Sequence, residues 1–283
     1  MSTRAKISQK IAFAILFLST VVVVVPVLAI LVFIVKNGIG AINWEFLTAY
    51  PRAGMKQGGI FPAIVGTFYL VFGAVAVSLP IGVLAAIYLN EYAKDTLLTR
   101  TIKLAIVNLA GVPSVVYGLF GLGLFVVFLN FGTSILSGSL TLAIMGLPVI
   151  ITTSKEALSS VPKSFREVSY SLGATRWQTV RHVVLPNAIS GILTGAILSI
   201  ARAAGEAAPI LFTVAAFYLP KLPTSVFDQV MALPYHLYII STQIPNIGKE
   251  KQYGTALVLV GLVFILNLFA IIIRSRFRKK KKW

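Results

Sequence analysis

The sequence predicts an all-α integral membrane protein with about six transmembrane helices and both termini in the cytoplasm. Three observations carry that prediction. Of the 283 residues, 57% are hydrophobic and 12% are charged, and the mean hydropathy is +0.90. A soluble domain carries roughly twice that share of charge, and a soluble fold of this length cannot bury so large an apolar surplus. An ordinary cytosolic enzyme is therefore excluded. Second, six stretches reach the roughly 20 mostly apolar residues that a bilayer crossing requires. Third, Lys and Arg are segregated by loop, as the positive-inside rule demands of a polytopic chain.

The elements follow in order. Residues 1–10 form a basic tail (Arg4, Lys6, Lys10), and 11–35 a first span. That run is too long for a signal peptide and no small-x-small cleavage site follows it. Residues 36–60 are an external loop. The core, 61–273, contains spans at 61–89, 104–130, 135–154, 188–217 and 253–273, and a basic tail occupies 274–283. Pro26, Pro80 and Pro113 sit inside spans, where neighbouring helices can satisfy the freed backbone groups. The tails together with loops 90–103 and 155–187 hold 18 Lys and Arg, against six on the other side. The formal charge of +17 is thus explained by topology, and no nucleic-acid partner is expected. The absence of cysteine removes disulfides and thiolate chemistry. Two histidines, His182 and His236, are too few and too scattered for a metal site, and both are expected at a surface or interface.

The loop 155–187 carries helical punctuation. Ser160 is placed to cap a first short helix, with Pro162 in its opening turn, and Gly173 supplies a stop. Thr175 and Gln178 have capping-box spacing for a second helix ending before Pro186. Phe165, Tyr170 and Trp177 are aromatic yet lie outside the bilayer, so the hairpin reads as a docking surface. An amphipathic hairpin resting on lipid headgroups is the alternative.

Arg202 and Glu206 lie in the middle of the fifth span, within Ala201-Arg202-Ala203-Ala204-Gly205-Glu206-Ala207-Ala208-Pro209. A charge at mid-bilayer costs roughly 2.5 kcal/mol or more. Four residues apart, the two side chains share one helix face. Mutual neutralisation is one reading. Against it, Arg before Glu is the poorer order for a helical pair, and intramembrane charges mark substrate and ion paths. A guanidinium fork matches phosphate oxygens. The carboxylate repels a fully deprotonated anion but accepts a hydrogen bond from the proton that phosphate retains near neutral pH.

The run Glu167-Val168-Ser169, three residues, Gly173, nine residues, Val183-Val184-Leu185-Pro186 resembles the permease signature of bacterial ABC importers. That signature is Glu-Ala-Ala, three residues, Gly, nine residues, Ile, one residue, Leu-Pro. Every interval matches, with departures at Val168, Ser169 and Val183. Arg202-Ala203-Ala204-Gly205-Glu206-Ala207-Ala208-Pro209 is similar to the fifth-helix motif of permeases in the bacterial and archaeal high-affinity phosphate importer. Gly58-Gly59-Ile60, Pro62-Ala63-Ile64, Gly66-Thr67, Gly111-Val112-Pro113-Ser114 and Tyr117-Gly118-Leu119-Phe120 resemble other segments of that family. Of its two related permeases, the Ala208-Pro209 step resembles the A-type more than the C-type.

The resemblance implies a type I ABC importer permease fold in the cell membrane, and import of inorganic phosphate by alternating access. It implies a second related permease, an ATPase dimer and an extracytoplasmic phosphate-binding protein as partners, besides membrane lipid. It makes 155–187 the loop that couples to the ATPase, with Glu167 and Gly173 shaping its turn, and Phe165, Tyr170 and Trp177 candidate contacts. Arg202 and Glu206 are the candidate substrate-path residues. No Gly-x-x-x-x-Gly-Lys-Ser/Thr run occurs, so ATP and Mg belong to the partner ATPase and no cofactor or catalytic residue is expected here. The open alternatives are the same machine carrying sulfate, molybdate or an organic solute, an ion-coupled transporter or channel, and a non-transporting assembly protein.

Overall fold

A computed structural model describes residues 3–279. The basic-tail lysines Lys280, Lys281 and Lys282 lie outside the described residues. Among the described residues, five helices are long and apolar enough to cross a membrane, or six if one sharply bent pair counts as a single span. The first, α1 (Thr3–Gly38), continues past Pro26 and packs against the last, α12 (Lys249–Lys279). Between them stand α3 (Phe61–Ile87), α6 (Ile135–Ser159) and α9 (Leu185–Gly205), which pack on one another as the centre of the molecule.

The loop 36–60 is ordered. Asn43 accepts the Phe46 N–H at 2.8 Å and caps the short α2 (Trp44–Thr48). A two-residue hairpin then follows, β1 (Pro51–Arg52) against β2 (Gln57–Gly58). Two apolar clusters hold the fold. One, around Leu142, Met145, Ile210 and Leu233, lies towards the hairpin end. The other, around Leu158, Val161, Val180 and Val184, lies towards the basic loops.

Proline decides where two spans and the second hairpin helix depart from the sequence reading. The stretch 104–130 is two helices, α4 (Leu97–Leu109) and α5 (Ser114–Gly121), the latter continued by a π turn to Phe128, and they meet at 106°. The Pro113 ring excludes a helical carbonyl four residues back, and α4 ends at that residue, Leu109. The freed Leu109 carbonyl accepts the Tyr117 hydroxyl at 2.8 Å. The stretch 188–217 also breaks: α9 ends at Gly205, four residues before Pro209, and α10 (Ala208–Thr213) follows. Pro186 does the opposite. The second hairpin helix, α8 (Arg176–Thr179), does not stop before it but runs through a π turn (Val180–Val184) into α9. The wider π turn absorbs the hydrogen bond that Pro186 cannot donate.

The segment between the last two spans folds around α11 (Leu233–Thr242), whose first backbone N–H donates to the Thr67 hydroxyl of α3 at 2.9 Å. His236, expected at a surface, is instead 3% exposed, because α11 is wedged among α3, α10 and α12. Burial, and secondly the charge of Lys251, push its pKa down to about 4. The unfolded chain therefore takes up this proton below pH 6.5 while the folded chain does not until about 4. Stability present above 6.5 is lost across that window, by about 3 kcal/mol at full protonation. The detergent-solubilised protein is expected to melt at a lower temperature at pH 4.5 than at pH 7, with part of that drop removed in His236→Phe. An identical drop in both would refute the assignment.

Candidate functional site

The fifth span supplies the first half of the site. Ser199 on α9 sits against Gly146, midway along α6, where an added Cβ would lie 2.5 Å from the Ser199 hydroxyl. Arg202 is one turn further, about 4.5 Å along the axis. Glu206 is not on the helix, as the sequence reading had it. It is the residue after the last helical turn, with extended backbone (φ −81°, ψ 126°). The shared helix face is therefore lost, yet the contact survives: Arg202 Nε donates to Glu206 Oε1 at 3.3 Å.

The two side chains are 31% and 21% exposed. They are thus neither sealed in the core nor free on the surface. A charged pair at this depth avoids lipid, so its open side faces water or another protein. Irregular backbone inside a span is tolerated for the same reason only where it lines a cavity or meets protein.

The second wall of the break is α5. Its Gly118 passes so close to α10 that an added Cβ would lie 3.0 Å from Pro209 Cα and 3.1 Å from the Ala208 carbonyl. One turn of α5 thus fixes the far side of the break. Tyr117, buried beside it, packs in the same apolar cluster as Ala203, Ala204 and Ile210 on either side of the break. Sequence reasoning named Tyr117 only as part of a motif. Its place near the α9–α10 break depends on the breaks at Pro113 and Pro209, far apart in the chain, for which the sequence carries no direct signal.

The second functional region is the hairpin 160–184. Ser160 does not cap its first helix. The preceding α6 runs to Ser159, so Ser160 ends that helix and its hydroxyl donates to the Ala157 carbonyl at 2.8 Å. The hairpin's first helix, α7 (Lys163–Ser171), opens after Pro162. Gly173 stops it with φ +81°, a conformation that L side chains rarely adopt. Thr175 and Gln178 form the reciprocal capping box that their spacing predicts. A buried hydrogen bond of 2.8 Å between the Ser169 and Thr179 hydroxyls ties the limbs together.

Of the aromatic residues expected on its surface, Tyr170 and Trp177 are exposed. Phe165 is not: it is half-buried against the Leu158–Val180 cluster, because it faces the membrane end of the hairpin. Glu167 is exposed. Val168 and Leu172 are exposed apolar residues that sequence reasoning passed over, Leu172 at 82%. The hairpin thus presents Val168, Tyr170, Leu172 and Trp177 beyond the helical bundle. A patch of this kind has the chemical character of a protein or membrane-surface contact. Among the described residues no group of three or more His, Asp or Glu is placed to hold a metal ion.

Residues 78–283 match the family model of the binding-protein-dependent transport system inner membrane component. The chain is 34% identical over 279 residues to the probable ABC transporter permease protein YqgI of Bacillus subtilis, covering 94% of each. It is 35% identical over 265 residues to the probable phosphate transport system permease protein PstA of Methanocaldococcus jannaschii, covering 93% of this chain and 92% of that one. Among solved structures, a bacterial ABC transporter that imports alginate, captured with its pentasaccharide-bound periplasmic protein, superposes with a TM-score of 0.68. It covers 97% of both chains at 14% identity, a likeness of fold alone.

Proposed function

The chain belongs to the family of binding-protein-dependent transport system inner membrane components, and from that footing we propose that it carries inorganic phosphate into the cell. Membership makes it a multi-pass permease subunit of an ABC importer. Phosphate is the finer reading. The observation that carries it is the Arg202–Glu206 pair held at the break of the fifth span. Relatives named for phosphate transport, at 33–35% identity, support it.

In this reading the guanidinium draws an oxyanion into the path and binds it through a planar set of donors. Glu206 stays bonded to Arg202 until substrate arrives, then accepts a hydrogen bond from the proton that a monoprotonated or diprotonated phosphate retains. Sulfate has no such proton at neutral pH and meets an uncompensated carboxylate. The α9–α10 break gives both side chains freedom to swing as the two halves of the importer alternate. A second permease would close the open side of the pair, and an external phosphate-binding protein would deliver the anion. At the other face, Val168, Tyr170, Leu172 and Trp177 would seat in an ATPase subunit, with Glu167 beside them and Gly173 setting the turn.

The test is radiolabelled phosphate uptake at low external concentration in cells lacking this chain and in cells with it restored. ATP-dependent uptake that returns with the chain, and that arsenate but not sulfate blocks, is the expected result. Unchanged uptake in restored cells with all partner subunits present would refute phosphate as the solute. Glu206→Gln is expected to narrow the phosphate-over-sulfate preference. Equal loss of both would instead show that the carboxylate does not discriminate.

A further inference from the structure

The end of α3 continues past Ile87 as a π turn, Tyr88–Tyr92. It carries Glu91, whose side chain is only 6% exposed. Its partner is Arg166 on α7, 14% exposed. The pairing is bidentate: Arg166 Nη2 donates to Glu91 Oε1 at 2.7 Å and Nε to Oε2 at 3.2 Å. The same guanidinium donates to the Leu158 carbonyl at 2.9 Å and the Val161 carbonyl at 2.8 Å. Those carbonyls lie at and just beyond the C-terminal turn of α6, where backbone acceptors lack helical partners. One side chain on the hairpin thus clamps the ends of two central helices.

The neighbouring contacts reinforce the clamp. Arg176, on the hairpin's other limb, places its guanidinium 5.6 Å from the centre of the Tyr92 ring. Asn90 accepts the Ser159 hydroxyl. Both limbs therefore meet the same five-residue turn of α3. A buried ion pair is a poor source of stability, since desolvation offsets most of its attraction. Its use lies in fixing one geometry, because bidentate pairing tolerates little change of angle. A cleft of about 420 Å³ opens beside the pair, lined by Lys163, Glu167 and Tyr170 among others, so the clamp sits immediately behind the surface that would meet an ATPase.

We propose that Arg166 and Glu91 are the positioning pair that makes the hairpin and the α3–α6 core one rigid body, so that displacement of the hairpin moves the membrane helices. The proposal rests on the reading of the hairpin as the ATPase contact. Neither residue touches solute or nucleotide. Loss of the pair removes the hairpin's directional anchor on the ends of α3 and α6 and leaves apolar packing and the Arg176–Tyr92 contact, which tolerate a change of angle, so hydrolysis then moves the core less.

The test uses the complete transporter purified through a tag on this chain. Breaking one partner leaves a buried charge and risks misfolding, so the decisive variant is the paired replacement Glu91→Leu/Arg166→Met, which removes both charges at similar volume. Arg166→Lys keeps the charge but loses the fork. Two readouts are taken. The first is phosphate taken up per ATP hydrolysed in proteoliposomes. The paired variant is expected to lower this ratio at least fivefold, the low end of ordinary coupling between sites, with Arg166→Lys between it and wild type. A merely structural role lowers both rates together and leaves the ratio unchanged, which would overturn the proposal.

The second readout needs no substrate. The chain has no cysteine, so Ser164→Cys on α7 and Leu84→Cys on α3, both exposed, take a clean pair of spin labels. Their distance distribution is expected to stay narrow with and without ATP and vanadate in the wild-type background, and to broaden in the paired variant. Identical distributions overturn the clamp. If the wild-type complex takes up no phosphate, phosphate as the solute fails, and the spin-label comparison alone then decides the clamp.

Discussion

Arg202→Met is expected to lower the initial rate of phosphate uptake by about a hundredfold, equivalent to roughly 2.7 kcal/mol. Methionine keeps the length and flexibility of the side chain, and Glu206, left without its partner, lies off the helix at 21% exposure, where water can reach it. The fold should therefore persist, and the protein should reach the membrane in normal amount. What is lost is the sole guanidinium at the break of the fifth span. Arg202→Lys keeps a point charge without the planar fork and should fall in between, about tenfold down.

The paired variant Arg202→Met/Glu206→Leu separates the two readings of the pair. If the residues serve only to neutralise one another, two apolar replacements are tolerated and uptake is near normal. If they line the path, the double variant is as inactive as the single one. Uptake within twofold of wild type in either background would end the assignment of Arg202 to the substrate path.

The second large effect is expected at the hairpin. Leu172→Glu combined with Trp177→Ala should reduce the ATPase that co-purifies with this chain by about thirtyfold, the equivalent of one interface hot spot. Leu172 is 82% exposed and Trp177 50%, so the substitutions remove no core packing. Thermal stability of the permease in detergent should be unchanged. Gly173→Val acts differently. It forces a β-branched residue to φ +81° and distorts the turn, so it should lose both stability and the ATPase. A hairpin that only rests on lipid predicts the reverse pattern for the first variant: weaker binding to anionic vesicles, with the ATPase retained. That result would remove the docking surface.

Much of this molecule was legible locally. Since a bilayer imposes a length that the sequence alone reveals, the apolar runs located the long helices, though two of the six runs prove to be broken. The capping box at Thr175–Gln178 and the stop at Gly173 formed as their spacing predicts, because each involves backbone groups within four residues. The same local reasoning misassigned Ser160, which ends α6 instead of starting α7. A serine can serve either helix end, and only the length of α6 decides. It also left Phe165 outside the core and His236 at a surface. Exposure depends on what packs against an element, and the partners of α7 and α11 are far away in sequence.

The prolines show where the boundary lies. Pro26, Pro80 and Pro148 sit inside continuous helices, Pro186 follows a π turn, and Pro113 and Pro209 stand at breaks. Each ring removes one donor and crowds the carbonyl four residues back. Whether the helix widens, continues or stops depends on what can satisfy that carbonyl, as the Tyr117 hydroxyl does for Leu109.

The sequence by itself determined that this chain is a helical membrane protein, which of its loops carry the positive charge, and that a charged pair and a signature hairpin are the candidates to test for function. Only the tertiary structure decided that Glu206 lies off the helix, that Tyr117 packs against the break of the fifth span, and that Glu91 is bound to Arg166 across 75 residues. The first set depends on the solvent and on bonds between near neighbours. The second depends on which helix ends meet in space, and those meetings are set by packing along the whole length of α3, α6 and α9.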